Sequence, residues 1–227
     1  MPTHTTRTFP ATAIPLLEVS SAARCLASGG LLLFPTETYY ALGCLASAAQ
    51  AVDMVYQVKA RQTSHPLPLV AGSVEQVSSM CHIAHIPAPL LDFWPGPLTL
   101  LLPCKKRGGL PARLVNGEGL VAIRVSSHPL VAQLCQVAGQ PLTASSANIS
   151  GQPPARLADE LAPPLVETLA KAPVASGFLA PASPGETPAG GAPSTIVRPL
   201  PNGQLAVLRQ GAVSLNALQA AGFACVV

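Results

Sequence analysis

Charge is scarce in this sequence. Asp, Glu, Lys and Arg make up 10% of its 227 residues, and thirteen bases against ten acids leave a net charge of +3. A surplus that small gives no ground, by itself, for a nucleic-acid or membrane surface. No run of about 18 apolar residues occurs, the length that a membrane-crossing helix needs. The opening stretch MPTHTTRTFPATAIPLLEV lacks the apolar centre of a secretory leader, so a cytoplasmic protein without a membrane partner is expected. Cys-x-x-Cys is absent too. The six cysteines, at 25, 44, 81, 104, 135 and 225, mostly sit in apolar runs and read as buried, reduced thiols. Cys81, His82 and His85 lie close together but have no second ligand pair, which is too little for a metal centre. There is no Gly-x-x-x-x-Gly-Lys-Ser/Thr, no Gly-x-Gly-x-x-Gly after a strand and no Gly-x-Ser-x-Gly elbow. A nucleophilic side chain is therefore not the expected device.

What the sequence does have is apolar material, 49% of it, in segments of alternating type. IPLLEVSSAARCLASGG, SAAQAVDMVYQVKA, HPLVAQLCQVAGQ, ARLADELAPPLVETLAK and LNALQAAG have helical spacing; Pro129 suits a first helical turn and Gly139 a helix end. LLLFPT, PLPLVAG, PLTLLLP, LVAIRVSS, PLTASSA, STIVRPL and LAVLRQG read as strands, and PVASGFLA as a loop. The alternation predicts an α/β (α+β) fold, a mixed β-sheet flanked by helices, in one domain spanning 1–227. APASPGETPAGGAPS has almost no apolar anchor, so residues 180–193 are expected to form a mobile surface loop.

Polar islands interrupt this background. They are PTETYYALG (35–43), Lys59 and Arg61 before His65, Arg124 within IRVSSHP, SSANISG (145–151), and the pair formed by Ser194 in PST and Arg209 in LRQG. Lys59 and Arg61, two positions apart, would share a face if their segment were extended. Arg124 sits in an apolar strand, where a guanidinium needs an anion, either an internal acid or a ligand. Cations with Ser, Thr and Asn suit the grip of a phosphate ester and the orientation of a small polar substrate.

Taken together, FPTETYYALG, KAR with HPL, FWPGPLTLLLP, VAIRVSSHPLV, PLTASSANISGQPP, PSTIV and LRQGAVS resemble the YrdC family of threonylcarbamoyl-AMP synthases, from about residue 14 to 222. The resemblance implies a twisted mixed sheet with helices around it and a large, positively lined cleft. It implies the synthesis of threonylcarbamoyl-AMP and diphosphate from L-threonine, bicarbonate or CO2 and ATP, with Mg²⁺ on the phosphates. The product would feed the transferase machinery that makes N6-threonylcarbamoyladenosine in tRNA. It assigns Thr36, Arg124 and Ser194 to threonine, and Lys59, Arg61, His65, Ser146, Asn148 and Arg209 to the nucleotide, with no protein ligand to metal.

The sequence departs from the family's pattern in places. Gln62 and Gln210 replace prolines, His65 stands where many members have Asn, and LVAGS lacks a histidine that some longer members carry for threonine. The length resembles the short, single-domain bacterial type. A non-catalytic RNA-binding module using the same cleft, helped by Lys105, Lys106 and Arg107, is the alternative from another class. A paralogue with another acceptor is a further one.

Overall fold

Two mixed sheets organise the chain where one was expected. The structure, a computed structural model, describes residues 13–61, 66–105, 109–179 and 187–226. His65, Gln62, Lys106, Arg107 and residues 180–186 of the expected mobile loop lie outside them. The helices are α1 (Val19–Ala27), α2 (Ala49–Val58), α3 (Val74–Met80), α4 (Ala88–Leu91), α5 (Pro129–Ala138), α6 (Pro163–Ala170) and α7 (Leu215–Ala220). The strands are β1 (Leu16–Leu17), β2 (Leu31–Pro35), β3 (Tyr40–Gly43), β4 (Leu69–Ala71), β5 (Leu98–Pro103), β6 (Leu120–Val125), β7 (Leu142–Thr143), β8 (Ser145–Ser146), β9 (Ser176–Leu179), β10 (Thr195–Pro199), β11 (Leu205–Arg209) and β12 (Cys225–Val226). The first sheet has the order β1-β9-β2-β3-β8 and the second β12-β11-β10-β5-β6-β4-β7, each with parallel and antiparallel neighbours.

Local chemistry sets several boundaries. Pro129 opens α5, where a missing N–H costs nothing, and Gly139 closes it at φ 71°. Ser73 caps α3 by accepting from Gln76 N at 3.4 Å, and Ser214 caps α7 by accepting from Ala217 N at 3.1 Å. The segment read as a loop, PVASGFLA, instead supplies β9, which lies in parallel between β1 and β2. The polar island at 35–43 supplies β3, antiparallel to β2.

The sheets are joined where the chain passes from β7 to β8. Thr143 belongs to the second sheet and Ser145 to the first, with Ala144 between them. Gly43 makes this crossing possible, because a Cβ there would stand 1.8 Å from Thr143 O. One core cluster includes Leu98, Leu100, Val121 and Ile123 from the second sheet, together with residues of α2, α3 and α6. A smaller one joins α1 and α5 over Leu32, Phe34 and Val70. The other face of β5 and β6 is not covered in this way, and it forms part of the candidate site.

Candidate functional site

On β5 and β6 the pleat sends Thr99 and Leu101, with Leu120, Ala122 and Arg124, to the face opposite the larger core. These strands, with β3, β8, β10 and β11, border a pocket of about 570 Å³. Arg61, Arg124 and Arg209 all line it, and among the described residues no acidic side chain does. Thr36, Ser146 and Ser194 line it as well, so six of the expected site residues meet around one cavity. Lys59 and Asn148 do not line it; they lie behind the Ser146 segment.

The backbone after α2 explains the separation of Lys59 from Arg61. The helix does not run into an extended segment at Lys59, as the i, i+2 reading expected. Lys59 is its C-cap, Ala60 takes φ 47°, and the chain reverses. Ala60 N donates to Gln57 O and Arg61 N to Tyr56 O, each at 3.0 Å, which is the paired bonding of a Schellman ending. Lys59 is turned inward, with a relative exposure of 2%. Its Nζ donates to Ser146 O, to Asn148 O at 2.6 Å and to Asn148 Oδ1 at 3.3 Å. Three oxygens for three ammonium protons favour the charged form. Burial, and after it the Arg61 guanidinium, pull the other way and bring the pKa down to about 7. Lys59 therefore holds the Ser146–Asn148 loop from below, while Arg61 reaches the pocket and its Nη1 donates to Ser145 Oγ at 3.5 Å.

Asn148 completes that loop. Its Oδ1 accepts from Ser146 Oγ at 2.6 Å, and its Nδ2 donates to Ile149 O at 3.1 Å and to Gln152 O. Thr36, almost wholly buried, uses its hydroxyl within its own turn. It donates to Tyr39 O at 2.7 Å and accepts from Thr38 N and Tyr39 N, each at 3.3 Å.

Arg124 has the internal acid that its apolar strand called for. Its Nε donates to Glu37 Oε1 at 2.6 Å, and Ser126 Oγ donates to Glu37 Oε2 at 2.5 Å. Burial by itself would raise the Glu37 pKa; the Arg124 charge, the Ser126 hydroxyl and a backbone N–H outweigh it and keep the carboxyl below its usual value. Neither Nη nitrogen of Arg124 bonds to a described residue, so the planar end of the guanidinium is left for the pocket. Arg209 donates to Ser194 O through Nε at 3.0 Å and Nη2 at 2.8 Å, and to Ser194 Oγ through Nη2 at 2.9 Å. Thr99 Oγ1 also donates to Ser194 Oγ, at 2.9 Å. Burial, then Arg124 and Arg61, lower the Arg209 pKa, the sign of three guanidiniums sharing one space.

Glu37 and Thr99 are the residues that the sequence reading missed. Glu37 was visible as the one acid in the Pro-Thr-Glu-Thr island. Thr99 was visible as the one hydroxyl inside PLTLLLP.

With this geometry in place, comparison with known proteins is informative. Residues 24–211 match the Sua5_yciO_yrdC family profile, described as telomere recombination. The chain belongs to the Sua5/YciO/YrdC family. Its Sua5/YciO/YrdC relatives include a protein named threonylcarbamoyl-AMP synthase from Alkalilimnicola ehrlichii, 36% identical over 161 residues, which are 71% of this chain and 80% of that one. One of the same name from Stenotrophomonas maltophilia is 39% identical over 158 residues, 67% of this chain and 83% of that one. Among solved structures, P. abyssi Sua5 complexed with L-threonine superposes with a TM-score of 0.76 at 27% identity, over 94% of this chain. The match spans 62% of the longer P. abyssi chain.

Proposed function

We propose that this protein is an L-threonylcarbamoyladenylate synthase, using L-threonine, bicarbonate or CO2, and ATP. The observation that carries the reading is the convergence of Arg61, Arg124 and Arg209 on one pocket that no acid among the described residues lines, with Ser194 and Ser146 beside them. Glu37 offsets only one of these three charges, so the excess calls for an anionic ligand, and a cavity of this size takes a small molecule. An RNA duplex would need an extended basic surface instead. Lys105 does not offer one, since its Nζ is turned back onto Ser78 O.

In this reading the Nη atoms of Arg124 take the threonine carboxylate as a planar fork, with Ser194 and the Thr36 turn beside it. The threonine amine adds to bicarbonate with loss of water, giving a carbamate. A carbamate oxygen then attacks the α-phosphorus of ATP, and pyrophosphate leaves. Arg61 and Arg209 offset the charge on the phosphates, and the loop held by Lys59 places Ser146 next to them. The pocket's own oxygen donors are neutral hydroxyls and carbonyls. A Mg²⁺ would accordingly arrive with the nucleotide and be held chiefly by phosphate oxygens, where it supplies charge neutralisation. The product is an activated carbamoyl adenylate, which suits a downstream transferase acting on tRNA.

The test is threonine-dependent pyrophosphate release with ATP and bicarbonate, and detection of the adenylate by mass. Arg61→Ala should lower release about ten- to a hundredfold, the worth of a charge-assisted phosphate contact. ATP turnover that ignores threonine would overturn the reading.

A further inference from the structure

The pocket changes character along β6. Arg124, Ala122 and Leu120 lie on one face of this strand, and at about 3.3 Å per residue Leu120 stands about 13 Å from Arg124. Arg209 and Ser194 belong to the Arg124 end. Leu101, Leu120 and Ala122 wall the other, and the polar side chain beside them is Asn116.

Asn116 is half-buried and its orientation is settled by its bonds. Oδ1 accepts from Glu118 N at 3.0 Å and from Leu120 N at 2.9 Å. Asn116 N donates to Leu120 O, and Asn116 O accepts from Gly119 N, both at 2.9 Å. Flipping the amide would turn its NH2 against two backbone N–H groups. Nδ2 is therefore fixed as a donor, and it makes no hydrogen bond to any described residue. A flat heteroaromatic ring seated against Leu101, Leu120 and Ala122 would satisfy its faces by apolar contact. Its ring nitrogens would still need a donor at the edge, because a desolvated acceptor left unpaired is costly.

We propose that Asn116 is a specificity residue for the nucleobase: its Nδ2 donates to a ring-nitrogen acceptor of adenine held at the apolar end of the pocket. This rests on the nucleotide reading above. A nucleoside phosphate laid along β6 puts its phosphate among the arginines and its base beside Asn116. An aliphatic wall alone would bind any base of similar size; the fixed donor selects for an acceptor at that edge.

The experiment pairs a variant with altered ligands. Asn116→Asp keeps an oxygen for the two backbone N–H groups, so the 116–120 turn stays, but it removes the donor. Threonine-dependent pyrophosphate release is measured for wild type and variant with ATP and with its 1-deaza, 3-deaza and 7-deaza analogues. The variant should show a KM for ATP raised about tenfold and an unchanged KM for threonine. One of the analogues should cost the wild type a similar factor and cost the variant nothing further, the signature of two groups that bond to each other. A wild-type KM for ATP in the variant overturns the proposal. So does a wild type that accepts all three analogues as well as ATP, a result that needs no variant to fold. Both outcomes arise in an enzyme that still releases pyrophosphate and leave the proposed function standing. A wild type that releases none removes that reading, and the role of Asn116 with it.

Discussion

Glu37 Oε1 and Arg124 Nε lie 2.6 Å apart, with the two side chains 10% and 5% exposed. The pair joins the turn after β2 to β6 through Nε, while neither Nη nitrogen bonds to a described residue. Lysine at 124 would keep the charge but lose both the donor to Glu37 and the fork. Arg124→Lys should weaken threonine binding about ten- to a hundredfold, measured calorimetrically. Affinity equal to wild type would mean that the carboxylate is held elsewhere.

Thr99 is fully buried, and the hydrogen bond it donates goes to Ser194 Oγ. That hydroxyl also accepts from Arg209, so its own proton is left for a ligand. Valine is nearly isosteric with threonine but cannot donate. Thr99→Val should raise the KM for threonine roughly fivefold, with little change in kcat, from the loss of one neutral hydrogen bond. Thr99→Ser should restore it. A purely structural Thr99 would instead lower the melting temperature and leave KM alone.

Ala60 holds a left-handed conformation, φ 47°, that costs an L-residue about 1–2 kcal/mol. Glycine suits the position after a Schellman ending. Ala60→Gly should raise stability by about 1 kcal/mol, or roughly 2–4 °C in a chain of this size, read by thermal denaturation. A lower melting temperature would show that the Ala60 methyl is needed for packing.

Lys59 makes stability depend on pH in a defined window. Its pKa is about 7 in the folded chain against 10.5 for an ordinary lysine. Between those values the unfolded chain binds the proton and the folded one does not, so its contribution to stability grows as pH rises. Above pH 9 the thiols of Cys44, Cys81 and Cys135, each pushed by burial to about 12, act in the opposite direction. Lys59→Met removes the first effect only. Denaturant titrations at pH 7 and pH 9 should show the wild type gaining stability relative to Lys59→Met. A constant difference would mean that Lys59 keeps its proton throughout.

The sequence displayed those features that local chemistry decides. LLLFP, LTLLLP and LVAIRV announced strands by their apolar runs, and Pro129 and Gly139 bracketed a helix. Six site residues could be collected from separate islands before their convergence was visible. PVASGFLA, read as a loop, supplies β9, where a Cβ on Gly177 would stand 2.2 Å from Leu17 Cδ1 on the neighbouring strand. The direction of Lys59 was hidden because nothing in the letters of Lys-Ala-Arg reveals a positive φ at alanine. The Glu37–Arg124 pair joins residues far apart in the chain, and only the folded sheets bring them together.

The order of strands in the first sheet also bears on how the chain is made. Leu16 and Leu17 pair with Phe178 and Leu179, and Leu31–Leu33 with Ser176–Phe178. A nascent chain leaving the ribosome therefore carries β2, all five of whose residues end up buried, with the β9 edge open until β9 is synthesised. At about 5–20 residues per second that interval lasts roughly seven to thirty seconds. Arg209, on β11, arrives later still. A chain stalled before β9 would hold two of the three guanidiniums and an exposed apolar strand, a product suited to chaperones and proteases.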